Sequence, residues 1–260
     1  MACHLAKPGT PQCACAPLTA GWRPRQRPVR GARRMAAVDV RAGLELYGSQ
    51  GSRSPLVNWY LHEIRAPFEM KAPRDPTNPH PFGQVPALRD DGGVEMFESG
   101  AILAYLADAY GGLDTPQKRA AVQPWLVWAN ASLDPCIFVE NARGQVLDTG
   151  ARGKPGEVRA LDRLNAILED RQWLVNDEFS AADVAVGAYL LYVPQFFGDV
   201  NMGKWPNIAR YMLACTERPA YGQAYEREVG ALQARCQQFV ESAAGGGDAD
   251  AEKKKRFGIF

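Results

Sequence analysis

Gly83-Gln84-Val85-Pro86 and Phe97-Glu98-Ser99 are the residues of this chain whose types and order suit binding chemistry best. An apolar residue before a proline, between two short strand-like runs, predicts a tight turn of the kind that admits a cis peptide bond. A Val85 held in such a turn offers its N–H and C=O to an extended peptide in an antiparallel-like pairing. Glu98 can accept from an ammonium. Ser99, placed where a helix begins, can give its hydroxyl and backbone N–H to a carboxylate at the positive end of the helix dipole. Gln84 adds a donor for a carbonyl or carboxylate. Read singly, Ser99 is a plain N-cap and Glu98 compensates a dipole; together they suit a short peptide gripped by its backbone and its free amino-acid end.

A second group is Ser52-Arg53-Ser54, a few residues past the first strand. Either hydroxyl, at the start of a helix, could donate to an anion such as a thiolate. Ser54 ahead of Pro55 also fits an N-cap with proline in the first turn. Arg53 adds positive potential or lies solvated on the surface. No histidine is placed to deprotonate a serine, and His62 falls mid-helix, so a nucleophilic serine is not expected. Tyr47 reads as a packed strand residue. No cysteine stands between positions 50 and 55, and Cys13 and Cys15 lie too far upstream to act there.

The elements that must position these groups follow from pattern. Residues 44–47 alternate like a strand and stop at Gly48. A helix follows with Val57, Tyr60, Leu61 and Ile64 on one face. Residues 67–70 suit a second strand, and the polar, Pro-rich stretch 71–82 an irregular loop. Residues 86–89 and 94–97 read as a hairpin around Asp90-Asp91-Gly92-Gly93, and 99–110 as a helix ended by Gly111-Gly112. This order, β-α-β, loop, β-β-α, predicts a thioredoxin-like domain over 42–113. From 117 to 240 strand signals stop. A helix is expected from 118 to about 144, with Trp125 and Trp128 on one stripe, and another through Val158, Leu161, Leu164 and Leu168. Ser180-Ala181-Ala182-Asp183 has capping-box form, with Phe179 and Val184 as a hydrophobic staple. It opens a nearly all-apolar helix that belongs in the middle of a bundle. Helices over 206–215 and 219–236 complete an all-α C-terminal domain.

Composition narrows the classes. The 260 residues carry a net charge of +1, which gives no reason to expect nucleic acid as a partner. No apolar run reaches the length of a transmembrane segment. Of the six cysteines, Cys3, Cys13 and Cys15 lie in the N-terminal segment, while Cys136, Cys215 and Cys236 are scattered, with no Cys-x-x-Cys pair and no histidine at ligand spacing, so neither a metal site nor a disulfide framework is expected. Residues 1–37 hold Lys7, Arg23, Arg25, Arg27, Arg30, Arg33 and Arg34 with no acid. That composition predicts a disordered transit peptide, cut near Arg34-Met35, with the chloroplast as destination and the mitochondrion or cytoplasm as alternatives. Residues 241–260 read as a linker followed by the solvated, disordered tail Lys253-Lys254-Lys255-Arg256-Phe257-Gly258-Ile259-Phe260.

The chain resembles the glutathione S-transferases, and within them serine-type members similar to phi-like and bacterial or cyanobacterial ones. The resemblance covers residues 44–231. It rests on Tyr47-Gly48 with the serines beyond, on Asn78-Pro79 ahead of Phe82-Gly83-Gln84-Val85-Pro86-Ala87-Leu88, on Phe97-Glu98-Ser99 with Ile102-Leu103-Ala104-Tyr105-Leu106, and on Phe179-Ser180-Ala181-Ala182-Asp183. His80-Pro81 is an insertion relative to the usual Asn-Pro-Phe-Gly run. The resemblance implies glutathione as co-substrate, bound by Ser54, Gln84, Val85, Pro86, Glu98 and Ser99. It implies Ser52 as the catalytic hydroxyl that stabilises the thiolate, for conjugation to small electrophiles (detoxification) or for peroxide reduction. It implies a homodimer, and an electrophile pocket between the domains with Trp125, Trp128, Asn130 and Phe138 as candidate walls. Phe82-Gly83-Gln84-Val85-Pro86 also resembles the N-terminal domain of elongation factor 1Bγ, a non-catalytic interaction module of this fold.

Overall fold

The computed structural model describes residues 43–225 and 229–256. The leader expected over residues 1–37 and the terminal Phe257 and Phe260 lie outside the described residues.

The first domain is a four-stranded sheet with two helices. Strand β1 (Leu44–Tyr47) is followed by α1 (Ser54–Glu63), β2 (Phe68–Lys71), β3 (Ala87–Arg89), β4 (Glu95–Phe97) and α2 (Ser99–Ala109). The sheet order is β2-β1-β3-β4. β2 runs parallel to β1, while β3 pairs antiparallel with β1 and with β4. This is the thioredoxin-like arrangement that the sequence predicts. Gly93 takes φ 83° in the β3–β4 turn, where a glycine carries no steric penalty.

The second domain is largely helical. Helix α3 (Pro116–Trp128) runs into a π-helical turn, Ala129–Leu133, and the short α4 (Asp134–Ile137). The sequence predicts helix as far as about residue 144, but the chain leaves it at Phe138 (φ −118°, ψ 119°). It then forms a two-stranded hairpin, β5 (Val139–Glu140) with β6 (Val146–Asp148). The Asn141 side chain causes the turn by accepting from the N–H groups of Arg143 and Gln145, and Gly144 supplies φ 72°. Helices α5 (Arg159–Ile167), α6 (Ala181–Phe196), α7 (Pro206–Thr216), α8 (Pro219–Tyr225) and α9 (Val229–Arg256) follow.

The capping box at α6 is formed. The Ser180 Oγ accepts from Ala182 N–H, and Asp183 Oδ2 accepts from Ser180 N–H at 2.9 Å. Every residue from Ala181 to Pro194 is buried, so α6 is the bundle axis, packed against α1, α2, α3 and α7. Phe179 packs on Trp59 and Trp173, with the Arg218 guanidinium carbon 3.5 Å from its ring centroid. Arg218 also forks onto Glu63 at 2.6 and 2.7 Å, which ties the start of α8 to the end of α1.

Within the range expected as one helix, 219–236, the described residues form α8 and the first part of α9. α9 continues to Arg256, where composition points to a linker and tail from 241. The glycines at 245–247 each cost helix about 1 kcal/mol relative to alanine. Ala243 and Ala244, strong helix formers, act the other way.

Candidate active site

Register alone brings the candidate residues to one end of the sheet. Tyr47 pairs with Ala87, and Ala87 pairs with Phe97. The loop leaving β1, the turn entering β3 and the residues leaving β4 therefore lie side by side. These are the Ser52-Arg53-Ser54 segment, Gln84-Val85-Pro86 and Glu98-Ser99.

The Val85–Pro86 peptide is cis. No hydrogen bond within the described residues uses the Val85 N–H or C=O. The turn is held from behind by Asn78, whose Nδ2 donates to the carbonyls of Pro73 and Gln84. His80-Pro81 is absorbed without disturbing it. His80 is 8% exposed, packs its ring 5.0 Å from that of Phe97, takes Asn78 Oδ1 at its N–H and accepts from Phe82 N–H. The Gln84 side chain is exposed.

Glu98 takes φ 69° and ψ 118°, a conformation that a non-glycine residue adopts at a cost of about 1–3 kcal/mol and that clusters at binding sites. Its side chain is exposed, and its carbonyl accepts from Ile102 N–H to open α2. Ser99 is the first residue of α2 and is buried, with its hydroxyl donating to Asn130 Oδ1 at 3.3 Å.

At the β1–α1 loop, Ser52 Oγ donates to Ser49 O at 2.8 Å, lies 2.7 Å from Ser54 Oγ, and accepts from Ser54 N–H at 3.1 Å. The N-cap expected at Ser54 is not formed. Arg53 occupies the cap position, Ser54 is the first helical residue, and it is the Ser52 oxygen that takes up a free N–H of the helix start. Ser54 is 1% exposed, whereas Ser52 is half-buried and the more accessible hydroxyl. Gly48 makes room for this packing, because a Cβ there would lie 2.4 Å from Ser54 Cβ. Tyr47 is fully buried, with its hydroxyl donating to Glu45 at 2.7 Å and lying 3.0 Å from Thr77, so it is committed away from the loop. His62 is half-buried, and burial lowers its pKa.

Arg53 is neither a free surface cation nor part of the hydroxyl pair. It bonds Asp134 at 2.5 Å, approaches Glu140 at 3.6 Å and lies over the Tyr189 ring. Burial disfavours its charge, but Tyr189 and Asp134 outweigh that and hold the guanidinium above its ordinary pKa. Burial likewise pushes the Asp134 carboxyl up, against the pull of Arg53. At 2.5 Å from a permanent cation, Asp134 is the charged partner. This pair fastens the Ser52 loop to α4 and, through Glu140, to the β5–β6 hairpin.

Of the candidate pocket walls, Phe138 is buried and meets the exposed Phe196 with ring centroids 6.1 Å apart. Phe138 lies two residues before Glu140, the hairpin carboxylate that Arg53 approaches at 3.6 Å. Trp125 and Trp128 instead line a separate hollow of about 600 Å³ with Pro124, Leu164 and Ile167. Asn130 belongs to the Ser99 end of the site. Sequence reasoning missed Asp134 and Tyr189 altogether. The Asp134-Pro135 step just before the helix breaks is the one local signal that marked the first.

Two family models match. The glutathione S-transferase N-terminal domain covers residues 42–108, and the glutathione S-transferase C-terminal domain covers residues 149–219. The chain is 32% identical over 163 residues to glutathione S-transferase GstB of Escherichia coli (strain K12), a match that covers 54% of this chain and 73% of that protein. It is 31% identical over 147 residues to elongation factor 1-gamma of Danio rerio, of which it spans 33%. Among solved structures it is similar to a glutathione transferase from Burkholderia graminis with two glutathione molecules bound per subunit. That likeness has 27% identity and a TM-score of 0.58, and covers 72% of this chain and 88% of the other.

Proposed function

The chain belongs to the glutathione S-transferase family, and we propose that it is a serine-type transferase in which Ser52 stabilises the glutathione thiolate. The observation that carries this reading is the sheet-end register. One place holds a half-buried hydroxyl at a helix start, an unpaired peptide edge at Val85, and Glu98 beside the N-terminus of α2. The cysteinyl backbone of glutathione pairs with Val85, its ammonium meets Glu98, and its γ-glutamyl carboxylate meets Ser99 and the free N–H groups of the first turn. Gln84 donates to the tripeptide, Pro86 holds Val85 in place, and Ser54 supports Ser52. The thiolate then attacks an electrophilic small molecule that enters between the Ser52 loop, Phe138, Phe196 and the hairpin, or it reduces a peroxide.

Retention on immobilised glutathione, together with conjugation of 1-chloro-2,4-dinitrobenzene, tests the proposal. Binding without turnover would instead favour an interaction module, the reading supported by the likeness to elongation factor 1-gamma. Failure to bind at all would remove the transferase reading. Glu98→Gln is expected to raise the KM for glutathione about five- to tenfold with little change in kcat, because the ammonium loses its carboxylate counter-charge and bonds only a neutral carboxamide oxygen. Steady-state kinetics at varied glutathione check this, and an unchanged KM would take Glu98 out of the site.

The same reading includes a homodimer. Ala101 and Ala104 on α2, with Val127 and Ala131 beyond it on α3 and the π-turn, border a hollow of about 390 Å³, and Val127 is 65% exposed. Small and apolar residues on such a face suit close approach of a second copy. A monomer mass by light scattering would end that part of the proposal.

A further inference from the structure

The π-helical turn between α3 and α4 aims two polar residues of the helical domain at the two ends of the proposed glutathione site. Asp134 N–H donates to Ala129 O, five residues back, which widens the turn. Such insertions re-aim the side chains around them and recur at functional sites. Here Asn130 reaches Ser99 at the start of α2, and Asp134 reaches Arg53 next to Ser52.

The Asn130 carboxamide has one orientation that satisfies it. Its Nδ2 donates to Leu126 O at 2.8 Å, so Oδ1 is the acceptor for the Ser99 hydroxyl at 3.3 Å and for the Tyr189 hydroxyl at 2.8 Å. Gly100 makes the approach possible, since a Cβ at that position would stand 2.6 Å from Asn130 Nδ2. Tyr189 is 1% exposed and lies beneath Arg53. A continuous run of contacts therefore joins Ser99, Asn130, Tyr189, Arg53 and Asp134, through side chains of the helical domain.

We infer that Asn130 is a positioning residue for the amino-acid end of glutathione, holding the Ser99 hydroxyl ready while Tyr189 holds Asn130. The inference rests on the reading above that Ser99 takes the γ-glutamyl carboxylate. The Ser99 hydroxyl has one proton. Without ligand that proton goes to Asn130 Oδ1 over a long, weak bond. When a carboxylate arrives, Ser99 turns to it, and Asn130 Oδ1 is not orphaned, because Tyr189 still donates to it. A buried acceptor left without a donor would tax binding. The double acceptor removes that cost, so the hydroxyl can be handed over to the ligand.

Three variants test this by glutathione-dependent kinetics. Tyr189→Phe leaves Oδ1 unpartnered once Ser99 turns away, and should raise the KM for glutathione about three- to fivefold. Asn130→Asp binds the Ser99 proton through a charge-assisted bond and faces the ligand carboxylate with a like charge. It should raise that KM about tenfold or more. In both, kcat at saturating glutathione, its pH profile and the KM for the electrophile stay at their parent values, a split that mere loosening of the fold would not give. In a Ser99→Ala background, Tyr189→Phe should have no further effect on KM. If Ser99→Ala raises KM but Tyr189→Phe and Asn130→Asp do not, the inference is wrong and the site reading stands. If Ser99→Ala leaves KM unchanged, the site reading fails and the inference falls with it.

Discussion

Ser52→Ala is expected to lower kcat about 10²-fold, the usual cost of removing one donor to a developing or stabilised anion, while the KM for glutathione moves by less than about threefold. The reason lies in where protons can go. Ser52 Oγ has three polar neighbours: Ser49 O, which only accepts; Ser54 N–H, which only donates; and Ser54 Oγ. With the Ser52 proton on Ser49 O, the Ser54 hydroxyl must donate to Ser52. An arriving thiolate competes with Ser49 O for the Ser52 proton, and as the charged acceptor it wins. Ser54 continues to donate into Ser52 Oγ and polarises it. A free thiol has a pKa of about 8.5, and lowering it by about two units takes about 2.7 kcal/mol. One hydrogen bond to a charged group contributes about 1.5–3 kcal/mol, so a single hydroxyl suffices for most of the shift. The tripeptide's affinity comes from Val85, Glu98 and Ser99 and is largely kept. Ser54→Ala should cost less in kcat, about five- to tenfold, because it acts through Ser52. If the two variants exchange these effects, Ser54 is the donor.

Asp183→Ala carries the largest expected effect on stability, a loss of about 3 kcal/mol. Asp183 is fully buried. Its carboxylate accepts from Leu174 N–H and Ser180 N–H, both at 2.9 Å, and from the Ser180 and Tyr211 hydroxyls. Tyr211 keeps a second acceptor in the Asp183 carbonyl, so the variant strands chiefly the two backbone donors. At about 2–4 °C per kcal/mol for a chain of this size, Tm should fall by about 6–12 °C.

The pH dependence has a definite sign. Burial pushes the Asp183 carboxyl up to about 6, although the surrounding donors pull the other way. An unfolded aspartate titrates near 3.9, so between about pH 4 and 6 the folded chain holds the proton more tightly. This group's contribution is greatest below pH 4 and falls as pH rises through 6. The stability gap between parent and variant should therefore be wider at pH 4 than at pH 7. Paired thermal melts check both statements. A variant melting within about 2 °C of the parent, equivalent to less than 1 kcal/mol, would show that the box does not anchor α6.

What was legible beforehand is what short-range chemistry encodes. Val85-Pro86, the Asp90–Gly93 turn and the Ser180–Asp183 box each sit within a few residues of the geometry they cause, and each appears in the structure. The β5–β6 hairpin was not legible. Its strands are two and three residues long, and its Glu, Ala, Arg and Leu are as compatible with helix as with strand. The helix start at Ser54 was misplaced by one residue because Ser52, not Ser54, carries the accepting oxygen, and either serine satisfies the pattern. The polar links from Asn130 to Ser99 and from Asp134 to Arg53 span 31 and 81 positions of the chain. They depend on how the helical domain meets the sheet domain and on a π-turn that no residue pattern announced.

The most direct test is a spectroscopic titration of the thiol of bound glutathione, read by thiolate absorbance in the parent and in Ser52→Ala. The parent should titrate about two units below the free thiol, near pH 6.5, and the variant should return most of the way to about 8.5. A parent midpoint at the free value, or a lowered midpoint that survives in Ser52→Ala, would contradict the assignment of thiolate stabilisation to Ser52.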